Sequence, residues 1–400
     1  MPTAEKVRHA IVGVGAIGRV HARSTASSPF AELVAVVDPD AVARDWARQR
    51  LGVRGFDNHH DLIEARLVDA VSVATPHRMK DRITLECIEA GLHVYTEKPL
   101  AIRIGTARQL VEAANRKGVR LTVGHQYRTF RTSQTIKRLI ARGDLGPVRD
   151  VLWTWHQFRP ARYFDEKTWR RNSSDAGGGL LVLQLAHDLD LLAWLLGRAT
   201  SVSALLRDGM HGLGSEDLVS AVIEFDGGAI VTLQASINRP PAHVVRHIIG
   251  NRAMLVLPSV NSIISDERDE IWLGRFEPAL DVALRQLRSS HDQPQIRWER
   301  VPPVPALGEE PGWKRPRRLW RAFGAYRHRP GVSALLDSFF LDVLGRGVSL
   351  VPAQSALPSV EIRNAMVLSA AMGARVALPI DEEEVDRVYA GIEQHHPLGG

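Results

Sequence analysis

Cysteine is nearly absent from this 400-residue chain: Cys87 stands alone. An intrachain disulfide is therefore excluded, and a reducing, cytoplasmic setting is the default expectation. Cys87 sits in the helix-like RITLECIEAG, where it reads as a small core residue rather than a nucleophile. A membrane-length apolar run is also missing, because the greasiest segment is interrupted by His187, Asp188 and Asp190 before it reaches the roughly 20 residues that cross a bilayer. The opening MPTAEKVRHAIVGVGAIG passes from a few polar residues straight into a strand pattern, so no secretory segment is expected. No internal repeat is visible.

A dispersed charge excess is absent too. The net +6 is local: Lys314 to Arg329 (KRPRRLWRAFGAYRHR) holds seven basic and no acidic residues, and the rest of the chain sums to −1. Trp313, Trp320 and Phe323 interleave with these charges in a way that would suit a nucleic-acid stripe or a membrane-surface patch. The plainer reading is a solvated insertion after the proline-rich VPPVPALGEEP, and no nucleic-acid partner is expected. No metal set is expected either. His243 and His247 have a helical spacing, yet AHVVRHIIG is rich in β-branched residues and reads as a strand, along which four residues span about 13 Å. One ion with ~2.1 Å bonds cannot bridge that. His59, His60, His395 and His396 look like loop or terminal residues, and Asp381 to Glu384 like a solvated helix start.

What is present, 44% hydrophobic and 24% charged residues, is the composition of a globular protein of about two domains. The first reads as a dinucleotide-binding unit. HAIVGV forms an apolar strand, and Gly13-x-Gly15-x-x-Gly18 sits at its turn into a helix, where backbone N–H groups, including those of Ala16 and Ile17, can approach a pyrophosphate. Alone, this pattern also fits a glycine turn in another βαβ unit. A second strand, ELVAVVD, ends in Asp38, 20 residues after Gly18, where a carboxylate would accept from a ribose 2′-hydroxyl. It would repel a 2′-phosphate, which favours NAD over NADP. DAVSVATP, HVYTEKP and LTVGHQ then alternate with helical periods, including one from about Ile104 to Lys117, as a doubly wound parallel sheet requires. Thr75, Pro76 and His77, Glu97 with Lys98 and Pro99, and His125 with Gln126 fall at the strand ends where such sheets bind ligands. Lys98, closing an apolar strand before a proline, is placed to reach a nicotinamide; by position alone a solvated surface lysine fits equally.

After Gln126 the alternation stops. A helix in SQTIKRLIARGDLG, a strand VRDVLWTWHQF and hairpin-spaced strands such as LVSAVIEFDGGAIVTLQASI follow, with late helices from about Val332 to Leu344 and Ser355 to Gly373. The expected fold is α/β: an N-terminal Rossmann doubly wound parallel sheet over residues 1–126, then over 127–400 an α+β domain with a large, mainly antiparallel open sheet and a proline-rich, basic insertion around 300–330. Within the second domain, GGGLLVLQLAHDLDLLAWLLG is anomalous. Between Leu180 and Leu196 only Gln184, His187, Asp188 and Asp190 are not apolar, so a helix there is buried. Each buried polar group costs about 1–3 kcal/mol unless it finds a partner.

GVGAIG with His21 beyond it, Asp38, ATP at 74–76, AGLHVYTEKPLA, the GGG to LLG helix and ARVALPI together resemble the Gfo/Idh/MocA family of oxidoreductases. The match weakens between about Asp266 and Pro330. The resemblance implies a Rossmann domain joined to an α/β domain with an open sheet, a homodimer or homotetramer associating through the sheet face, and NAD-dependent chemistry on a sugar, cyclitol or related hydroxyl. By resemblance Lys98 touches nicotinamide and substrate hydroxyl, Pro99 sets that loop, and His187 takes or gives the hydroxyl proton from a helix packed on the sheet. Asp190, one turn on, orients the ring or makes a structural hydrogen bond; Asp188 is structural. Substrate contacts are assigned by position to Gln126, Tyr127, Arg128, Trp169, Arg170 and Gln184. Leu183 stands where cyclitol dehydrogenases of the family often carry an aspartate, which leaves the substrate class open. Two further readings remain: a redox-neutral enzyme that cleaves a glycosidic bond through transient oxidation, and a redox-silent NAD-binding regulator.

Overall fold

The computed structural model describes residues 6–165, 176–212, 214–259, 270–287, 289, 291–302 and 331–395. Trp169, Arg170, His396 and the basic segment 314–329 lie outside them. The chain divides into two compact units, Met1–Thr129 with Pro305–Leu357, and Phe130–Val304 with Pro358–Gly400. No helix among the described residues is long and apolar enough to cross a membrane.

The first unit holds six parallel strands: β1 (Val7–Val12), β2 (Ala31–Val37), β3 (Arg54–Phe56), β4 (Ala70–Val73), β5 (His93–Thr96) and β6 (Leu121–Val123). Their order, β3-β2-β1-β4-β5-β6, places the reversal of winding between β1 and β4, where open α/β sheets bind ligands at the strand carboxyl ends. The strands read as nearly unbroken apolar runs because helices cover such a sheet on both faces. Those helices are α1 (Ala16–Ser27), α2 (Ala41–Leu51), α3 (His59–Ala65), α4 (His77–Glu89) and α5 (Ile104–Lys117). His59 and His60 therefore open a helix rather than lie in a loop. Asn58 caps that helix by accepting from Asp61 N–H at 2.9 Å, and the cap brings both histidines into its first turn.

One cover comes from far along the chain. The helix Val332–Val343 belongs to the first unit, whereas the sequence pattern grouped it with the second domain. Its buried Leu335, Leu336, Phe339 and Phe340 form an apolar stripe, and Phe340 meets His9 edge-on at 5.0 Å while Phe339 meets Tyr95 at 6.1 Å. Ser28 donates to Asp337 at 2.6 Å. After this helix, Val123 N–H donates to Val351 C=O at 3.1 Å, which extends the β6 edge.

The second unit carries nine strands: β7 (Val148–Phe158), β8 (Ala199–Arg207), β9 (Leu218–Phe225), β10 (Ile230–Ser236), β11 (Asn238–Gly250), β12 (Ala253–Ser259), β13 (Ile271–Glu277), β14 (Gln295–Val301) and β15 (Val376–Ala377). The order is β14-β13-β12-β11-β7-β10-β9-β8-β15, and neighbours are antiparallel except β7 with β10. The β9–β10 hairpin turns at Asp226-Gly227-Gly228, with Gly228 at φ +81°, a conformation glycine adopts without cost. β11 contains His243 and His247 in one strand. Alternation divides the sheet. Val151, Trp153, Ile223, Val231, Leu233 and Leu255 are buried on one face, while Leu152, Leu205, Val222 and Ile230 are exposed on the other.

His9 on β1 is fully buried, with Nδ1 3.1 Å from Thr25 Oγ1 and Nε2 3.1 Å from Ser72 Oγ. Burial, reinforced by nearby His21, pushes its pKa down to about 3. The unfolded chain protonates this histidine near its ordinary ~6.5 while the folded chain does not, so stability falls as pH drops from 6.5 toward 3. Moving from pH 7 to 5 should remove about 2 kcal/mol through this group. Urea unfolding of a His9→Gln variant at the two pH values should show a dependence shallower by about that amount.

Candidate active site

The nucleotide end of the first unit is shaped by glycines with different duties. A Cβ on Gly13 (φ +94°) would lie 2.8 Å from Ala74 O, and one on Gly18 would lie 1.8 Å from Gly13 O, so these two let β1, β4 and α1 pack closely. Nothing lies within 4 Å of where a Gly15 Cβ would stand. Gly15 is the N-cap of α1, and α1 has neither a side-chain cap nor an acid in its first turn; α2, by contrast, is capped by Asp40. The first N–H groups of α1, at Ala16, Ile17 and Gly18, thus start a helix whose positive end faces open space, as a pyrophosphate requires. Asp38, just past β2, accepts from Val14 N–H at 2.7 Å and Asp40 N–H at 3.0 Å, one on each oxygen. A carboxylate has about four lone-pair sites, which leaves capacity for a ribose hydroxyl. These residues fit an adenine dinucleotide.

At the end of β5, Glu97 is the organiser. His21, fully buried on α1, lies with Nε2 2.9 Å from Glu97 Oε1, and Lys98 N–H donates to Glu97 Oε2 at 3.2 Å. The His21 ring stands edge-on to Tyr95 at 5.1 Å. Tyr95 is fully buried beside Glu97, and burial with the neighbouring carboxylate pushes its phenol well above the ordinary range. Glu97 therefore holds the backbone from which Lys98 projects; the Lys98–Pro99 peptide that follows is cis. Thr75, Pro76 and His77 lie past β4, where Pro76 caps α4 and His77 begins it. Gln126, Tyr127 and Arg128 form a 3-10 turn past β6. Arg128 is buried and donates to Ser355 Oγ and Ser355 C=O, both at 2.9 Å, so its guanidinium is held inside the first unit.

In the second unit the greasy segment is two helices. Leu180–Leu183 ends in Gln184 at φ −119°, and Ala186–Leu196 starts anew, a correction to the single helix that apolarity suggested. His187, 7% exposed, lies in the first turn of the longer piece and Asp190 is fully buried three residues on. Asp188 points to the sheet. Its Oδ1 accepts from Trp153 Nε1 at 3.0 Å and from an Arg246 Nη at 2.9 Å, and the guanidinium lies 4.7 Å over the Trp153 ring. Burial pushes the Asp188 carboxyl up, opposed by Arg246. Trp153 and Arg246 are cross-strand partners on β7 and β11, so one ion pair anchors the turn that bears His187.

The triple glycine before this turn wraps Glu216. Glu216 Oε1 accepts from Gly179 N–H at 3.1 Å and Leu181 N–H at 2.9 Å, and its C=O accepts from Leu180 N–H at 2.8 Å. A Cβ on Gly179 would lie 2.2 Å from Glu216 O. Gln184 is fixed on both sides: its amide donates to Tyr163 Oη at 2.8 Å and its carbonyl accepts from Arg159 at 3.3 Å. Leu183, Gln184, Tyr163, Phe164 and Glu216 line one small pocket. Sequence reasoning missed Glu216, Arg159, Tyr163, Trp153 and Arg246. For Arg246 a signal existed, because it shares strand parity with apolar Val244 and Ile248; for Glu216, beside a strand start, none did.

Residues 7–125 match the profile of an oxidoreductase family with an NAD-binding Rossmann fold, GFO_IDH_MocA, and residues 133–256 match the GFO/IDH/MocA C-terminal domain, together more than half of the chain. The chain belongs to the Gfo/Idh/MocA family. It is similar to scyllo-inositol 2-dehydrogenase (NAD(+)) of Bacillus subtilis strain 168, 29% identical over 63% of this chain and 74% of that protein. It is also similar to 2,7-anhydro-N-acetylneuraminate hydratase of Escherichia coli K12, 26% identical over 60% of this chain and 64% of that one. Among solved structures, the WlbA dehydrogenase of Bordetella pertussis in complex with NADH and UDP-GlcNAcA superposes with a TM-score of 0.75 at 25% identity, covering 94% of this chain and all of that one. The protein is thus an NAD-dependent oxidoreductase.

Removing one member of a buried ion pair leaves the other charge uncompensated, which costs about 3–5 kcal/mol. Asp188→Ala should lower the stability of the second unit by that much in urea unfolding, and Asp188→Leu with Arg246→Met should recover most of the loss.

Proposed function

We propose that this enzyme moves a hydride between NAD and a secondary hydroxyl, or the matching carbonyl, of a sugar, cyclitol or related polyol. The observation that carries the reading is Lys98, set at the carboxyl end of β5 by a buried Glu97–His21 pair in a family whose Rossmann domain binds NAD. Bound NAD supplies the hydride acceptor or donor. The Lys98 ammonium stabilises negative charge developing on the substrate oxygen, and His187 takes or gives the hydroxyl proton. Glu97 orients Lys98 through the backbone, while Asp188 holds the turn that carries His187. Asp38 secures the adenosine ribose, and the uncapped start of α1 the pyrophosphate. Gln184, with both amide atoms engaged, and apolar Leu183 shape the sugar side of the site. Support for a polyol comes from the inositol dehydrogenase relative; the nucleotide sugar acid held by the WlbA neighbour adds that class to the candidates.

A second reading rests on the hydratase relative: redox-neutral chemistry in which the substrate is oxidised, altered and reduced again without net NADH. Incubation with NAD and a panel of polyols, anhydro sugars and nucleotide sugar acids separates the two. Accumulation of NADH at 340 nm supports the dehydrogenase; substrate turnover with a flat 340 nm trace supports the redox-neutral enzyme. In either case Lys98→Met and His187→Ala should each lower kcat/KM by about 10²–10⁴-fold, and His187→Ala should leave NAD affinity, followed by titration, within a factor of a few. Full activity in both variants would defeat the assignment.

We further propose that copies of the chain associate through the open sheet face, where Leu205 is 59% and Ile230 48% exposed. Light scattering should give the mass of a dimer or tetramer, and Leu205→Glu with Ile230→Arg should shift it toward the monomer.

A further inference from the structure

The first turn of α3 faces α4 through a cluster that the oxidoreductase chemistry leaves unused. His59 is buried, and its Nε2 hydrogen-bonds Glu86 Oε2. His60 Nε2 lies 3.8 Å from the same oxygen. The two imidazoles stack with centroids 4.1 Å apart and planes tilted by 35°. One donor atom from each of the three side chains falls within 4.8 Å of the other two. Arg82 Nε stands 3.5 Å from the other carboxylate oxygen, Glu86 Oε1, so Oε2 is the atom turned to the histidines. Burial pushes the Glu86 carboxyl up, but the His59 hydrogen bond and the neighbouring His59, Arg82 and His60 outweigh it and hold the group below its ordinary value.

We propose that His59, His60 and Glu86 form a binding site for one divalent transition-metal ion of the zinc class, tying α3 to α4. Two imidazoles and a carboxylate select zinc, cobalt, nickel or copper over magnesium and calcium, which prefer all-oxygen sets. In a tetrahedral zinc site with bonds of about 2.0–2.2 Å, donor atoms stand roughly 3.4 Å apart. The present spacings approach that, and the exposed side chain is the one that has to move: His60 is 59% exposed. His59 is held by burial and by the Asn58 cap, and Glu86, 32% exposed, by its contacts with His59 and Arg82, so two of three ligands already stand together. Binding places the ion between His59 Nε2 and Glu86 Oε2; with the ring hydrogen on Nδ1, Nε2 offers its lone pair, and water fills the remaining coordination position.

The test uses the full chain, stripped with EDTA and titrated with ZnCl2 by calorimetry and with CoCl2 by visible absorption. One equivalent of zinc should bind at micromolar concentration. Cobalt should develop the intense visible bands of a four-coordinate ion, and zinc should raise the thermal midpoint. His60→Ala and Glu86→Gln should each weaken binding by about tenfold or more and abolish the thermal shift, with circular dichroism and NAD affinity unchanged. The proposal is overturned if no stoichiometric binding occurs in the micromolar range, or if His60→Ala binds zinc as tightly as the parent chain.

Discussion

The charge on Asp188 has no water to turn to. It lies at 0% exposure in a helix made mostly of leucine and alanine, and the placing of that helix on the sheet depends on how the charge is met. Arg246 and Trp153 rise from neighbouring strands to one carboxylate oxygen, so the helix cannot slide or rotate over the sheet without stranding two opposite charges. An apolar interface would be at least as stable. What the ion pair adds is registry: the residue before Asp188 is His187, whose usefulness depends on where its ring stands.

The same device recurs in the first unit with different chemistry. There the buried partners are His21 and Glu97, and the residue being placed, Lys98, is again the sequence neighbour of its anchor, here following it rather than preceding it. Each proposed catalytic side chain is thus adjacent to a buried carboxylate that faces inward. The long side chain or ring is left to work while its neighbour is immobilised, an economical way to hold a reactive group on a loop or a helix start.

Much of this was legible beforehand, for reasons that differ by residue. The Rossmann strands declare themselves through unbroken apolar runs ending in Gly, Pro or charged residues, and α5 runs from Ile104 to Lys117 as its periodicity requires. The family resemblance added roles to Lys98 and His187 that position alone left open. Less visible was whatever depends on pairing between distant segments. Two unpaired opposite charges in apolar settings, Asp188 in a helix and Arg246 in a strand, call for each other, but nothing local says so. Glu216 is hidden more deeply, because its partners are backbone N–H groups, which carry no residue identity. The break at Gln184 escaped because hydropathy reports burial and not the continuity of a helix. His59 and His60 looked like loop residues because a three-residue strand before them leaves little pattern to read.

The Val332–Val343 helix has a consequence for how the gene can be dissected. The nucleotide-binding unit is discontinuous: its sheet is finished by residue 129, yet the phenylalanines that cover His9 and Tyr95 arrive some two hundred residues later. An excised N-terminal fragment would expose that aromatic seat to water and would be a sticky, partly open sheet rather than a free-standing nucleotide binder. During synthesis on the ribosome the first unit must wait, incomplete, until most of the second has emerged, which makes the order of translation part of the folding problem.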